Sequence, residues 1–466
     1  MRVSRRQILG HSILGSLASV LPGTVRGAEP ARLPAKPKGV VFMVSDGMSA
    51  GVLTMAEAFS RQVRGDSCHW WRRLAAPGVC HGWMDTASGD SLVTDSAAAS
   101  SAWSSGKRIP NGQLNLTAEG KKLESIGETL VARGARLGLV STATITHATP
   151  AGFAASSADR NAEDGIAPQY LNRADIVLGG GSVFFDPAVR EDKRDVFGEF
   201  RSAKYEVLRT RSELLASEGD RLLGTFATGH LPYTLDRDGD PVMQKNVPTL
   251  AEMTGIALER LLAGDKPFLL QVEGARIDHA AHLNDIAGLL HDQLAFDDAV
   301  GVVLGQLADR DDVLVVITSD HGNSNPGLNG TGVKYGQTNE HFKRIAGSTS
   351  SHERLLAQWA EKPGDAAALR EMLSAGLGFE VGEKEAAAVH DLIAGKEVRE
   401  WSHQQANPPG VLGQVAGNHF GTGWTGVSHT ADPTIITATG PGALRFSGLV
   451  RNDQVRGILL DLLLEA

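Results

Sequence analysis

The sequence predicts an α/β protein with a doubly wound, mostly parallel central sheet, helices on both faces and a cap-like insertion. Three observations carry this prediction. Short apolar runs ending in polar and glycine residues recur along the chain, the pattern of strands buried on both faces. Between several of them lie amphipathic helical patterns closed by glycine. With 466 residues, 42% of them hydrophobic, the chain can also bury a large core.

The first run is KGVVFMVSDG, residues 38–47, and it is followed by ARLGLVSTAT (135–144) and ADIVLGGG (174–181). KPFLLQVEG (266–274), DDVLVVITSDHG (311–322) and DPTIITATGPG (432–442) complete the series. Helices are expected in LESIGETLVARG, closed by Gly134, and in PTLAEMTGIALERLLAG, closed by Gly264. Strand–helix alternation of this kind places functional groups at the carboxyl ends of the strands. It breaks from Asn323 to Val427, a Gly/Asn-rich and then helical stretch, read here as an insertion of about 323–427 that caps the site. No internal repeat is visible.

Residues 1–28 hold a twin arginine (Arg5, Arg6), a modest apolar run and small residues at Gly27 and Ala28. This resembles a twin-arginine export signal, since the run is too short to span a bilayer. The expected mature chain, 29–466, is therefore periplasmic or secreted and has no membrane span. Removing residues 1–28, which carry four arginines and no acid, takes the formal charge from -9 to -13. That balance argues against a general nucleic-acid binder. In an oxidising compartment Cys68 and Cys80 are expected to form one disulfide, ahead of two free thiols and, with His69 and His81 alongside, a small metal site.

The chemistry-bearing residues gather at strand ends. VSDG offers Asp46, and VITSDHGN offers Asp320 and His321, which reach one ion only if the chain curls there, as Gly322 would permit. In QVEGARIDHAAHLND, Asp278 and His282 are four apart and share one face of a helical turn, so they can chelate one ion. Glu273, five residues earlier, faces a different ion. Carboxylate with imidazole suits Zn²⁺, whereas carboxylate, hydroxyl and water suit Mg²⁺, and the sequence holds both kinds of set. VTDSAAASSAWSSG reads as a helix of small residues, with Thr94, Asp95 or Ser96 able to cap it and Ser96 placed as a nucleophile.

From Lys38 onward the ordered motifs VSDG, VTDSAAASSAWSSGKRIPNG, STATITHATPAG, QVEGARIDHAAH, ITSDHGN and GVSHTADPTIITATGPG resemble the alkaline phosphatase family. The resemblance implies a phosphomonoesterase that forms a phosphoserine on Ser96, with two zinc ions and one magnesium. It assigns one zinc to Asp278, His282 and His429, and the other to Asp46, Asp320, His321 and the Ser96 oxygen. The magnesium would share Asp46 and take Thr149 and Glu273. Arg160 would grip two phosphate oxygens and Asp95 would orient it, with Arg173 the weaker alternative. His147 and His279 stand near the third ion and the phosphate, where the family varies, and His419 competes with His429. Small phosphate monoesters are the implied substrates and a homodimer the implied assembly, with no interface legible. A phosphodiesterase or sulfatase of the same superfamily, or an exported metal- or phosphate-binding protein, are the competing readings.

Overall fold

The computed structural model describes residues 36–396 and 402–464, so the expected leader, 1–28, lies outside the described residues. Fourteen strands are found among these residues. The first eight are β1 (Gly39–Ser45), β2 (Cys80–Asp85), β3 (Arg136–Thr144), β4 (Ile176–Gly180), β5 (Glu206–Leu208), β6 (Leu222–Thr225), β7 (Phe268–Gly274) and β8 (Val313–Thr318). The rest are β9 (Gly322–Asn323), β10 (Gly327–Leu328), β11 (Thr422–Gly423), β12 (His429–Thr430), β13 (Thr434–Thr439) and β14 (Gly448–Arg451).

Ten of them form one sheet in the order β14-β2-β13-β8-β1-β7-β3-β4-β6-β5. Only β13 runs against its neighbours. All six expected strands are present, and four more join them. β2 was not legible because its residues alternate between buried and exposed, and β14 because three of its four are exposed. β1 shows the central pattern: Val41 and Met43 enter the core on one face, while Val40, Phe42 and Val44 enter the core on the other. Both expected helices form, but only Gly134 ends its helix in the left-handed region (φ 74°), whereas Gly264 is extended (φ −89°).

The two cysteines are free and buried, contrary to the expected disulfide. Cys68 packs in the core on one face of the sheet and Cys80 in the core on the other, so their sulfurs are separated by the sheet itself. Burial pushes the Cys68 thiol up to about 12, which leaves it inert near neutral pH.

The 323–427 region holds helices His352–Glu361, Ala366–Leu377, Glu383–Ile393 and Pro408–Phe420 around a small core that includes Leu355, Trp359, Leu373 and Leu412. Its two ends are joined at the root. β9 pairs with β12, and β10 pairs with β11, both antiparallel.

The small-residue helix forms over Ser96–Ser105, and of its three possible caps Asp95 is the one used, accepting from the Ala98 N–H at 2.8 Å. Nine of its ten residues are buried. The reason for Ala and Ser is contact with the helix Ala148–Ala154. Ser100 Oγ donates to the Ala148 carbonyl at 3.0 Å, and a Cβ on Gly152 would lie 2.2 Å from that same oxygen and 2.9 Å from the Ser100 backbone. Gly152→Ala therefore forces the two helices apart. The expected cost is about 1–3 kcal/mol of unfolding free energy in denaturant titration, together with reduced activity because Ser96 moves with its helix. Wild-type stability in that variant would remove the close-packing argument.

Candidate metal centre and active site

The four central strands β8, β1, β7 and β3 end side by side, and each delivers site residues just beyond or at its last residues. β1 leads into Asp46, β7 contains Glu273 and leads into the helix Arg276–His282, and β3 leads into His147 and Thr149. β8 stops at Thr318, so Asp320 and His321 fall in the expected curl. Gly322 contributes differently from expectation. Its φ is not positive; instead a Cβ there would come within 2.5 Å of Thr430 Oγ1 and 3.0 Å of Ser49 Oγ, so glycine is required by close approach. At Gly47 both reasons apply, because its φ is 64° and a Cβ there would lie 2.3 Å from the Asp278 carboxylate.

Three sets of donor atoms converge, each within 4.8 Å: Asp278, His282 and His429; Asp46, Asp320 and His321; and Asp46, His147 and Glu273. In the first set, His282 Nε2 lies 3.0 Å from His429 Nε2 and 3.4 Å from Asp278 Oδ2. The outer nitrogens are anchored on backbone: His282 Nδ1 donates to the Val427 carbonyl at 2.8 Å and His429 Nδ1 to the Thr94 carbonyl at 2.9 Å. Both rings thus turn Nε2 inward, the arrangement by which carbonyls orient metal-binding histidines. Burial opposes charge on His282, but Asp278 more than reverses it and lifts the ring to about 9. Burial and then His321 press His429 down to about 4.

Asn323, which sequence reasoning read only as the start of the insertion, donates from Nδ2 to Asp278 Oδ1 at 2.7 Å and fixes that carboxylate. In the second set, His321 Nε2 is 3.2 Å from Asp320 Oδ2, 3.6 Å from Asp46 Oδ1 and 3.1 Å from Ser96 Oγ. Asp320 Oδ1 accepts the Gly47 N–H at 3.1 Å. Asp46 Oδ1 and Oδ2, Asp320 Oδ2, Glu273 Oε1 and Thr149 Oγ1 are buried with no hydrogen-bond partner. Orphaned carboxylate oxygens in such number fit divalent cations, because a buried unpaired charge is otherwise too costly. Burial, then Asp320, Asp278 and Glu273, hold Asp46 well above the usual carboxylate range. Asp278 and Asp320 fall below it despite their burial, drawn down chiefly by His282 and His321 respectively.

His147 joins the third set but already has an engagement: its Nε2 accepts from Arg160 Nη2 at 3.1 Å. A neutral imidazole has one lone pair, so with Nε2 accepting, Nδ1 holds the proton and offers nothing to an ion. That leaves Asp46, Glu273 and Thr149 as an all-oxygen set. Arg160 Nη1 donates to Asp95 Oδ2 at 3.1 Å, and Asp95 is fixed in turn by the Ala98 and Gly112 N–H groups. Arg173 is occupied elsewhere, on the Ala154 carbonyl and Glu128. His419 also lies apart, stacked on Phe379 at 4.0 Å and paired with Glu385. His279 binds Arg276 Nη1 through Nδ1 at 2.7 Å and packs against His147 and against His230, a residue no sequence signal singled out.

Known proteins resemble the chain at each level. The family model for alkaline phosphatase matches residues 37–464. Alkaline phosphatase 4 of Bacillus subtilis is 30% identical over 384 residues, covering 80% of this chain and 77% of that protein. Alkaline phosphatase 3 of the same organism is 30% identical over 370 residues, covering 78% and 75%. The crystal structure of the Thermus thermophilus alkaline phosphatase superposes with a TM-score of 0.86 at 34% identity, covering 96% of each chain.

Glu273 sets a pH dependence. Burial raises it to about 7 against the opposing hydrogen bond from Ser141. Below that pH a divalent cation at Asp46 and Glu273 must displace the Glu273 proton, so its affinity should be weaker at pH 6 than at pH 8.5. The same sign makes the metal-free protein lose stability as pH rises from the ordinary carboxylate range through 7, since the folded chain retains a proton that the unfolded chain has released. Calorimetric Mg²⁺ titration at pH 6 and pH 8.5 reads the first effect, and equal affinities would contradict it.

Proposed function

The chain belongs to the alkaline phosphatase family, and from that premise we propose that it hydrolyses phosphate monoesters in two in-line steps through a phosphoserine on Ser96. The observation that carries this reading is the convergence of Ser96 Oγ, the buried carboxylate–histidine sets and Arg160 on one strand-end site. The residues divide into two sets suited to Zn²⁺, Asp278, His282 and His429, and Asp46, Asp320 and His321 with Ser96, and one suited to Mg²⁺, Asp46, Thr149 and Glu273. When bound, such ions supply Lewis-acid neutralisation of the attacking and leaving oxygens.

The chain's own residues do the rest. Ser96 is the first residue of its helix, so its Oγ is presented at the positive end of the helix dipole. Asp95 takes the Ala98 N–H with its side chain and the Ala99 N–H with its carbonyl, which leaves the Ser96 and Ala97 N–H groups to an anion. Arg160, tied to Asp95 and His147, presents a guanidinium whose fork matches two phosphate oxygens. Attack by Ser96 expels the alcohol, and attack by water on the phosphoserine releases phosphate and restores Ser96. Two displacements at phosphorus give net retention. A monoester's extra negative charge is better matched than a diester's to the Arg160 guanidinium and to a cation that the all-oxygen set would hold.

We further propose that the protein is exported, on the strength of the twin arginine and short apolar run in residues 1–28. No described helix is long and apolar enough to cross a membrane. Residues 323–427 are proposed to shape access to the site.

Purified protein with Zn²⁺ and Mg²⁺ should cleave nitrophenyl phosphate faster than the matching diester and lose activity on chelation; diester preference would overturn the monoesterase reading. Ser96→Ala should lower turnover by at least about a thousandfold and abolish phosphoenzyme in acid-quenched samples. Arg160→Ala should weaken inhibition by inorganic phosphate by roughly ten- to a hundredfold, and an unchanged inhibition constant would reassign its role. Asp320→Ala should lack one zinc equivalent by metal analysis.

A further inference from the structure

His230 lies in the segment between β6 and the helix Thr234–Asp238, and this segment is stitched to the strand ends beside the site. Phe226 N–H donates to the Gly179 carbonyl, Ser182 N–H to Ala227, Gly181 N–H to Gly229 and Leu231 N–H to Thr142, all at 2.7–3.0 Å. His230 is itself exposed, yet its ring is fixed on three sides. Its Nδ1 accepts the Thr144 N–H at 3.0 Å, which makes it a neutral ring with the proton on Nε2. Its centroid lies 4.5 Å from that of His279 and 5.7 Å from that of His147, edge-on to the latter at 89°. His147 and His279 are 5.5 Å apart at 88°, so the three rings pack as one cluster.

The cluster matters because of how little else holds His147. Its Nδ1 is buried without a hydrogen-bond partner, and its single side-chain bond is the one it accepts from Arg160. Ring packing must therefore fix its orientation. His279 is tied by Arg276 at 2.7 Å, and Arg276 by Glu353 at 2.7 Å, which secures one flank. His230, pinned by the Thr144 N–H, secures the other. Arg160 in turn has two side-chain partners, Asp95 on Nη1 and His147 on Nη2. Were the second to move, the guanidinium would keep one anchor and lose its fixed plane, and a two-oxygen grip depends on that plane.

We propose that His230 is a positioning residue for phosphate: wedged against His147 and His279 and anchored on the Thr144 N–H, it fixes the ring that holds Arg160. This rests on the phosphatase reading for its consequence, but the positioning itself can be observed without phosphate.

The test uses full-length holoenzyme with inorganic phosphate as the probe. His230→Ala should weaken calorimetric phosphate binding and raise KM by about fivefold, with kcat changed less. His230→Phe, which keeps a ring of similar size but loses the acceptor for the Thr144 N–H, should recover only part of the loss. His230→Asn, which keeps an acceptor but no ring, should stay weak and serves as the second variant if the alanine protein folds poorly. In an Arg160→Ala background His230→Ala should add nothing, because the two act in series. An equal loss in both backgrounds, or unchanged phosphate binding, overturns the proposal. A crystal structure of His230→Ala in which Arg160 Nη2 still meets His147 in the wild-type plane also overturns it, whether or not phosphate binds. A wild-type protein that neither binds phosphate nor cleaves monoesters would sink the phosphatase reading and leave that structural comparison to decide the role of His230.

Discussion

Four carboxyl groups, Asp46, Glu273, Asp278 and Asp320, are buried at the ends of neighbouring strands, and Asp278 alone keeps as much as 4% of its surface exposed. Among the described residues, the side chains hydrogen-bonded or ion-paired to them are histidines, a serine and an asparagine, and no lysine or arginine is paired with them. Like charges packed this closely raise one another's pKa and oppose folding unless cations or protons join them. Much of the local structure follows from this constraint. Glycines at 47 and 322 let backbone approach the cluster, backbone carbonyls at Thr94 and Val427 turn imidazole nitrogens inward, and the Gly47 N–H satisfies one oxygen of Asp320.

The small-residue helix answers to the same constraint. Ser96 Oγ comes within 3.1 Å of His321 Nε2, and bulky residues on the buried faces of its helix would hold it away. Ala97, Ala98, Ala99 and Ser100 are all fully buried, and Ser100 meets Gly152 with no room for a methyl group. Low side-chain bulk here is a distance requirement, which explains why the helix carries almost no amphipathic pattern.

Six of the ten sheet strands were legible because each is a continuous apolar run closed by polar or glycine residues, a pattern that depends on local sequence alone. β2 and β14 were not, because half-exposed strands lack such a run. The metal-type sets were legible wherever ligands are close in sequence, as Asp278 and His282 are. His429 and Thr149 came only from the family resemblance, since nothing local distinguishes them from other loop residues. Asn323 and His230 escaped notice because their roles depend on packing between segments far apart in the chain. The expected disulfide failed for a similar reason: closeness in sequence says nothing about which side of a sheet each sulfur faces.

The β9–β12 ribbon brings together the residue that fixes Asp278 and the residue that supplies His429, at opposite ends of the 323–427 insertion. Because the chain leaves and re-enters through hydrogen-bonded neighbours, the ends of the insertion are held together by the ribbon itself and not by the helices between them. The insertion still touches what lies beneath it: Glu353 binds Arg276, and the Val427 carbonyl accepts from His282 Nδ1. A change in its length or content is therefore transmitted to the strand-end cluster through Arg276 and His282.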